Sequence, residues 1–242
     1  MPIRAISFDL FDTLIDAPVG SAPIRSSTEA LHAAVAKHCD LALDTFIEAL
    51  RAVDSEFRRA RTARGFEVAT EERFARLIEQ LQLDRPDLPL ELTEIHMGVI
   101  RSCVRVPAHH VEVLRRLGDH VPLGLCSNFS HSPTAHELLE EADLRVHLDP
   151  VAISVDVGLR KPRREMFDAV LDGLGATADE TLHVGDSLRA DVGGAAERGM
   201  LTAWITRCIP EPDAALAAFE GPRPDFVIAD LRELIPLVSG PG

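Results

Sequence analysis

Gly185-Asp186-Ser187-Leu188-Arg189-Ala190-Asp191 follows the short apolar run 181–184, and Phe8-Asp9-Leu10-Phe11-Asp12-Thr13-Leu14 closes a similar run, 3–8, at the start of the chain. In both, acid stands directly after a stretch with the length and composition of a buried parallel strand. Carboxylates at the ends of buried strands are costly to keep unpaired. They persist where a metal or a reaction uses them. The two stretches cooperate only if the fold returns the chain to its beginning.

Between them the texture changes once. Residues 17–23 read as a loop, and from about 26 to 104 apolar residues recur at helical spacing. Leu31, Val35 and Ala36 follow a candidate cap at Ser27 or Thr28. Phe46, Leu50, Val53 and Phe57 come next, then Phe74, Leu77, Ile78 and Leu81. Pro86 and Pro89 interrupt the pattern, and Leu92, Ile95, Val99 and Ile100 resume it. From about 108 helices and strands alternate. Helices are predicted at 111–117 (closed by Gly118), 131–142, 164–174 (closed by Gly175) and 188–198 (followed by Gly199). Strands are predicted at 122–126, 151–153, 181–184, 201–205 and 225–229, and a Gly-Pro-Gly tail ends the chain. Such alternation predicts an α/β fold, a doubly wound parallel sheet of Rossmann type with helices on both faces. Residues 1–16 and 105–242 make this core, and 17–104 form an inserted all-helical cap.

A hydrophobic share of 46% supports a sizeable core, and the net charge of −14 argues against nonspecific binding to nucleic acid or an anionic membrane surface. No apolar run approaches the roughly 20 residues of a membrane span. Met1-Pro2-Ile3-Arg4 leads into a strand pattern with no signal-peptide layout. Cys39, Cys103, Cys126 and Cys208 are scattered and form no CxxC, as reduced thiols of a cytoplasmic protein would be.

Ligands of such sheets gather at the carboxyl ends of the strands. There this chain carries Asp9 and Thr13, Ser127 and Asn128, Gly185-Asp186-Ser187, and, after the 151–153 strand, Arg160-Lys161-Pro162. Converging carboxylates repel one another unless a cation sits among them. Oxygen-only ligands favour magnesium over zinc.

This set resembles the haloacid dehalogenase superfamily of hydrolases, most of them phosphatases, over nearly the whole chain. Asp9-Leu10-Phe11-Asp12-Thr13-Leu14 is similar to the family's opening motif. Ser127 matches the Ser or Thr that ends its second-motif strand, Lys161 the lysine of the third, and Gly185 to Asp191 the fourth. The resemblance implies a nucleophilic Asp9 that forms an aspartyl-phosphate, later hydrolysed by water. It implies Mg2+ held by Asp9, the backbone carbonyl of Phe11 and Asp186, with Asp191 as a ligand or as support for one. Ser127, with the neighbouring backbone amides, would bind the phosphoryl group of a small phosphorylated substrate, and Asn128 beside it either binds substrate or only shapes the loop. Lys161 would neutralise moving charge and Thr13 would hold the Asp9 loop. The helical cap would close over the strand ends and select the substrate. Monomer and homodimer both remain open.

One position departs from the family's phosphatases. Their second Asp, two residues after the nucleophile, protonates the leaving group; here it is Phe11. By strand alternation Asp12 points away from Asp9 and is no obvious substitute. Losing such a group removes on the order of 10²–10⁴-fold in rate, least for good leaving groups such as aryl or acyl phosphates. The family's dehalogenases carry an aromatic residue there and need no metal, so a metal-independent dehalogenase is one alternative. A C–P hydrolase would need a lysine from the cap, where 16–104 holds only Lys37. A non-catalytic binding module is another alternative. Simpler roles compete at single residues: Ser187 as a helix cap, Asp191 as a dipole partner in that helix's first turn, and Arg58, Arg59, Arg61 and Arg64 as a solvated face. Arg160, Arg163 and Arg164 beside Lys161 are read with the same reserve. His109, His110, His131 and His136 read as packing or surface residues, Trp204 as core, and Gly193 and Gly194 as close-packing positions.

Overall fold

The computed structural model describes residues 3–17 and 21–238 and divides into two compact units, Met1–Asp16 with Val106–Gly242, and Ala17–Arg105. Residues 18–20 of the expected loop and the Gly-Pro-Gly tail lie outside the described residues.

In the first unit six strands form one parallel sheet: β1 (Ala5–Phe8), β2 (Leu123–Ser127), β3 (Val151–Ile153), β4 (Thr181–Gly185), β5 (Leu201–Ile205) and β6 (Phe226–Ile228). Their order is β3-β2-β1-β4-β5-β6. The chain builds outward from β1 to β3, then crosses back to add β4 on the other side of β1. Every residue of β1, β2 and β4 is buried, which is why they read as short, mostly apolar runs.

In the second unit, helices α1 (Ser21–Val35), α2 (Leu43–Arg64), α3 (Thr70–Gln80) and α4 (Leu88–Cys103) pack around Phe46, Val53, Phe74, Leu77, Leu88 and Leu92. The expected cap at Ser27 or Thr28 falls inside α1, which starts at Ser21. Pro23 stands in its first turn, where a missing N–H costs nothing. Pro89 likewise opens α4 instead of breaking it. On that helix Met97, not Val99 or Ile100, reaches the core.

The first unit also carries α5 (His110–Gly118), α6 (Ser132–Glu141), α7 (Ser154–Val157), α8 (Arg164–Leu174), α9 (Gly194–Arg198), α10 (Pro212–Ala218) and α11 (Ile235–Val238). Helix α8 packs on β2 and β3, α5 on β2 and α9 on β5. Gly175 and Gly199 end α8 and α9 with φ of 61° and 86°, as their positions suggested. Gly118 does not: α5 runs through it to Asp119 in right-handed geometry. The short α7, α10 and α11 were not foreseen. Among the described residues no helix is long and apolar enough to cross a membrane, and all four cysteines are free.

Candidate active site

The sheet order reverses at β1 and β4, and such a switch point leaves a crevice beyond the strand ends. Phe8 pairs in register with Val184, and the Asp9 N–H donates to the Val184 carbonyl at 2.8 Å. Asp9 is therefore level with Gly185, and Asp186 follows at once. Ser127 ends β2 on the other side of β1. Asp9, Asp186 and Asp191 each offer a carboxylate oxygen, and these oxygens lie within 4.8 Å of one another.

Lys161 enters the cluster from the far side. Its side chain is 1% exposed, with Nζ 2.7 Å from Asp9 Oδ1 and 2.6 Å from Asp191 Oδ1. A side chain this buried is not a solvated surface lysine. Asn128 fixes the segment that carries it: Asn128 Oδ1 accepts from the Lys161 N–H at 2.7 Å, and Nδ2 donates to the Lys161 carbonyl at 3.1 Å. The Asn128 amide thus spends both ends on shaping this loop. Arg163 and Arg164, beside it, pair with Glu165 and Asp168 and not with the cluster.

One ammonium does not balance three carboxylates in a buried site. Burial raises Asp9 above the usual carboxylate range, with Lys161 opposing and Asp191 adding to the shift. Burial, then the neighbouring Asp9 and Asp191, pushes Asp186 up to about 7. Burial works against Asp191 as well, yet Lys161 and the hydrogen bond from His183 outweigh it and hold that carboxyl low. Burial also opposes the charge on Lys161, but Asp191 and Asp9 overcome it and raise the lysine. The unrelieved charge therefore sits on Asp9 and Asp186.

Asp191 is held by its local backbone. The expected helix at 188–198 begins as a π-helical turn over Leu188–Gly193 before tightening into α9. Such wide turns recur at functional sites. Ser187 is the cap the sequence suggested: its Oγ accepts from the Ala190 N–H at 3.1 Å, while its own N–H donates to Asp191 Oδ2 at 2.9 Å. Gly185 makes room, since a Cβ there would stand 2.3 Å from Asp191 Cγ. Beneath it, His183 lies 3.2 Å from Asp191 Oδ1 through Nε2 and 3.1 Å from Ser7 Oγ through Nδ1. Burial lowers the affinity of His183 for a second proton.

Thr13 and Ser127 are both buried, and their hydroxyls have no hydrogen-bond partner. A buried polar group left unpaired costs about 1–3 kcal/mol, so donors kept in this state fit a ligand's oxygens. Phe11 points its half-buried ring at Phe129, with centroids 5.0 Å apart. Strand alternation does not carry past Phe8, however. Asp12 has φ of 57°, a left-handed turn that resets side-chain directions. The Asp9–Asp16 segment is tied down by residues the sequence did not single out for it. Arg207 pairs with Asp16 and donates to the Thr13 carbonyl at 3.5 Å, and His110 Nδ1 lies 2.8 Å from the Leu14 carbonyl. Trp204 is buried as foreseen, and its Nε1–H donates to the Asp186 carbonyl at 2.7 Å.

Other candidates lie elsewhere. His131 caps α6, and His109 pairs with Asp230. In the helical unit Arg61 pairs with Glu67, and Arg59 donates to the Ser55 carbonyl; the Arg64 side chain is not among those described. Gly194 is a close-packing position, since a Cβ would stand 2.7 Å from the Phe167 ring.

Residues 3–199 match the family model described as haloacid dehalogenase-like hydrolase. The chain is 30% identical over 216 residues to the 5-amino-6-(5-phospho-D-ribitylamino)uracil phosphatase YigB of Escherichia coli, covering 84% of this chain and 83% of that protein. It is 28% identical to the ribulose-1,5-bisphosphate 5-phosphatase of Halopiger xanaduensis, covering 97% and 99% of the two chains. Among solved structures, the 2-haloacid dehalogenase of Pseudomonas syringae pv. Tomato superposes with a TM-score of 0.76 at 21% identity over 98% of each chain, a likeness of fold.

Two tests follow from this geometry. Gly185→Ala forces Asp191 aside and costs about 1–3 kcal/mol by overpacking, read by chemical denaturation. Unchanged stability would mean that Asp191 is not seated over Gly185. Asp186, with a native pKa of about 7 against 3.8 for a free side chain, binds its proton more tightly when folded. Its contribution to stability is therefore full below about pH 4 and is lost as pH rises towards 7. Without divalent metal, thermal melts of Asp186→Asn should lose less stability than wild type between pH 5 and 8. Equal pH dependence would contradict the assigned crowding.

Proposed function

Because this chain belongs to the haloacid dehalogenase-like hydrolases, we propose that it is a magnesium-dependent phosphatase, acting on a small phosphorylated metabolite through an aspartyl-phosphate on Asp9. The observation that carries this reading is the crowding of Asp9, Asp186 and Asp191 around one lysine. A purely oxygen donor set with surplus negative charge fits a hard divalent cation. Asp9, Asp186 and the Phe11 carbonyl would hold it, with Asp191 as ligand or support. When bound, the ion offsets the repulsion between the Asp9 carboxylate and an anionic phosphate.

The protein groups divide the remaining work. A carboxylate oxygen of Asp9 attacks phosphorus, the bond from phosphorus to the leaving oxygen breaks, and the leaving group takes its proton from solvent. Ser127 and Thr13, with hydroxyls buried and unpaired, donate to phosphoryl oxygens. Lys161, anchored by Asn128 and Asp191, compensates charge as it moves from Asp9 to the leaving oxygen. Water then hydrolyses the aspartyl-phosphate, releasing phosphate and restoring Asp9. No carboxylate stands at position 11, which favours substrates whose leaving groups depart without protonation. The free cysteines and acidic charge balance support a cytoplasmic setting.

Phe11 favours a second reading, a metal-independent dehalogenase, because an aromatic side chain fills that slot and packs on Phe129. The acids at 186 and 191 weigh against it, since chemistry without a metal gains little from them.

Phosphate release from p-nitrophenyl phosphate should depend on Mg2+ and be lost in Asp9→Asn. Equal turnover in a strong chelator, or chloride release from 2-chloropropionate without metal, would overturn the proposal. So would no turnover across a broad phosphate-ester panel, the outcome for a binding module. Phe11→Asp should raise kcat/KM for alkyl phosphates about tenfold or more while aryl phosphates change little. It should also cost about 0.5–1.5 kcal/mol as the pair with Phe129 is lost. A folded, metal-binding variant with no such gain would show that position 11 lacks proton-transfer geometry.

A further inference from the structure

His183 belongs to none of the motifs in the sequence, and it is 1% exposed in the middle of β4. A histidine so deep in a parallel sheet needs a use for both ring nitrogens. Ser7, 0% exposed, is its register partner on β1, and the two side chains meet at 3.1 Å. Residues alternate along a strand, so His183 shares a face of β4 with Gly185. The missing side chain at Gly185 lets the Asp191 carboxylate settle over the strand and reach His183 Nε2 at 3.2 Å. An ionised carboxylate only accepts, so Nε2 donates and Nδ1 accepts from the Ser7 hydroxyl. Phe167 fixes the ring from the side, edge-on at 5.2 Å.

Asp191 Oδ1 is also the atom that binds Lys161 Nζ, at 2.6 Å. Ser187 N–H orients the other oxygen. Turning the Asp191 carboxylate would therefore withdraw one of the two anchors that place the lysine beside Asp9. We propose that His183, seated on Ser7, is a positioning residue for the reaction, holding the Asp191 carboxylate and through it the Lys161 ammonium against Asp9. This inference rests on the hydrolase reading above for its consequence in turnover, and on geometry alone for its effect on Lys161.

The chain has only two lysines, Lys37 and Lys161, and the Lys37 side chain is 64% exposed. In 15N-lysine-labelled protein without divalent metal, the buried ammonium of Lys161 should give one slowly exchanging signal, distinct from Lys37. His183→Leu and His183→Asn remove the donor to Asp191; asparagine reaches only as far as Nδ1 and keeps Ser7. His183→Gln restores a donor near Nε2. The expected result is a shifted or broadened Lys161 signal in the Leu and Asn variants and a restored one in the Gln variant. With p-nitrophenyl phosphate and Mg2+, kcat should fall about 10- to 100-fold for Leu and Asn with KM little changed, and Gln should recover most of it. Thermal melts confirm folding; if His183→Leu does not fold, the Asn and Gln pair decides. A Lys161 signal indifferent to these substitutions in folded protein, or no recovery with Gln, would overturn the proposal. Absence of turnover in wild type would count against the phosphatase reading alone, because the lysine signal tests His183 without it.

Discussion

Three carboxylates share one ammonium at the switch point of a parallel sheet, and the arrangement of the site follows from that imbalance. Asp9 and Asp191 both lean on Lys161, while Asp186 has no cation of its own among the groups that shift it apart from that same lysine. In a dry setting unpaired charge is expensive, and on the proposed reading a divalent ion would offset that expense. The surrounding fold is arranged to keep the acids close in spite of it. Register pairing between β1 and β4 sets Asp9 beside Gly185, and the π-helical turn and Ser187 cap set Asp191 over the strand. Arg207, His110 and Trp204 secure the backbone on either side.

Much of this was legible in the sequence because it rests on short-range patterns. Short, mostly apolar runs followed by acid gave β1 and β4, glycines gave the ends of α8 and α9, and the alternation after residue 108 gave the doubly wound sheet. Ser127, Lys161, Asp186 and Asp191 all lie in one unit, with Ser127 at the end of β2 and Asp186 directly after β4. Element ends were read less well where side chains compete with propensity: Pro23 and Pro89 sit in first turns, and Gly118 is helical.

What stayed hidden depends on contacts between distant segments. Alternation suggested a direction for Asp12, but the strand had already ended and the left-handed turn made that inference void. A loop-shaping role for Asn128 was open in the sequence, but not that its partner is the Lys161 backbone 33 residues on, and Arg207 gave no sign that it grips Thr13 and Asp16. His183 was readable in principle. A lone histidine two residues before Gly185, in an apolar run, shares that glycine's face and must find partners there.

The central claim is that the cluster needs a divalent cation to be fully ionised. Calorimetric titration of Mg2+ into the protein near pH 6.5, run in two buffers of different ionisation enthalpy, measures binding and proton release together. Saturable binding that expels on the order of one proton per ion, with the release vanishing in Asp186→Asn, is the predicted result. No binding, or binding without proton release in wild type, would contradict it.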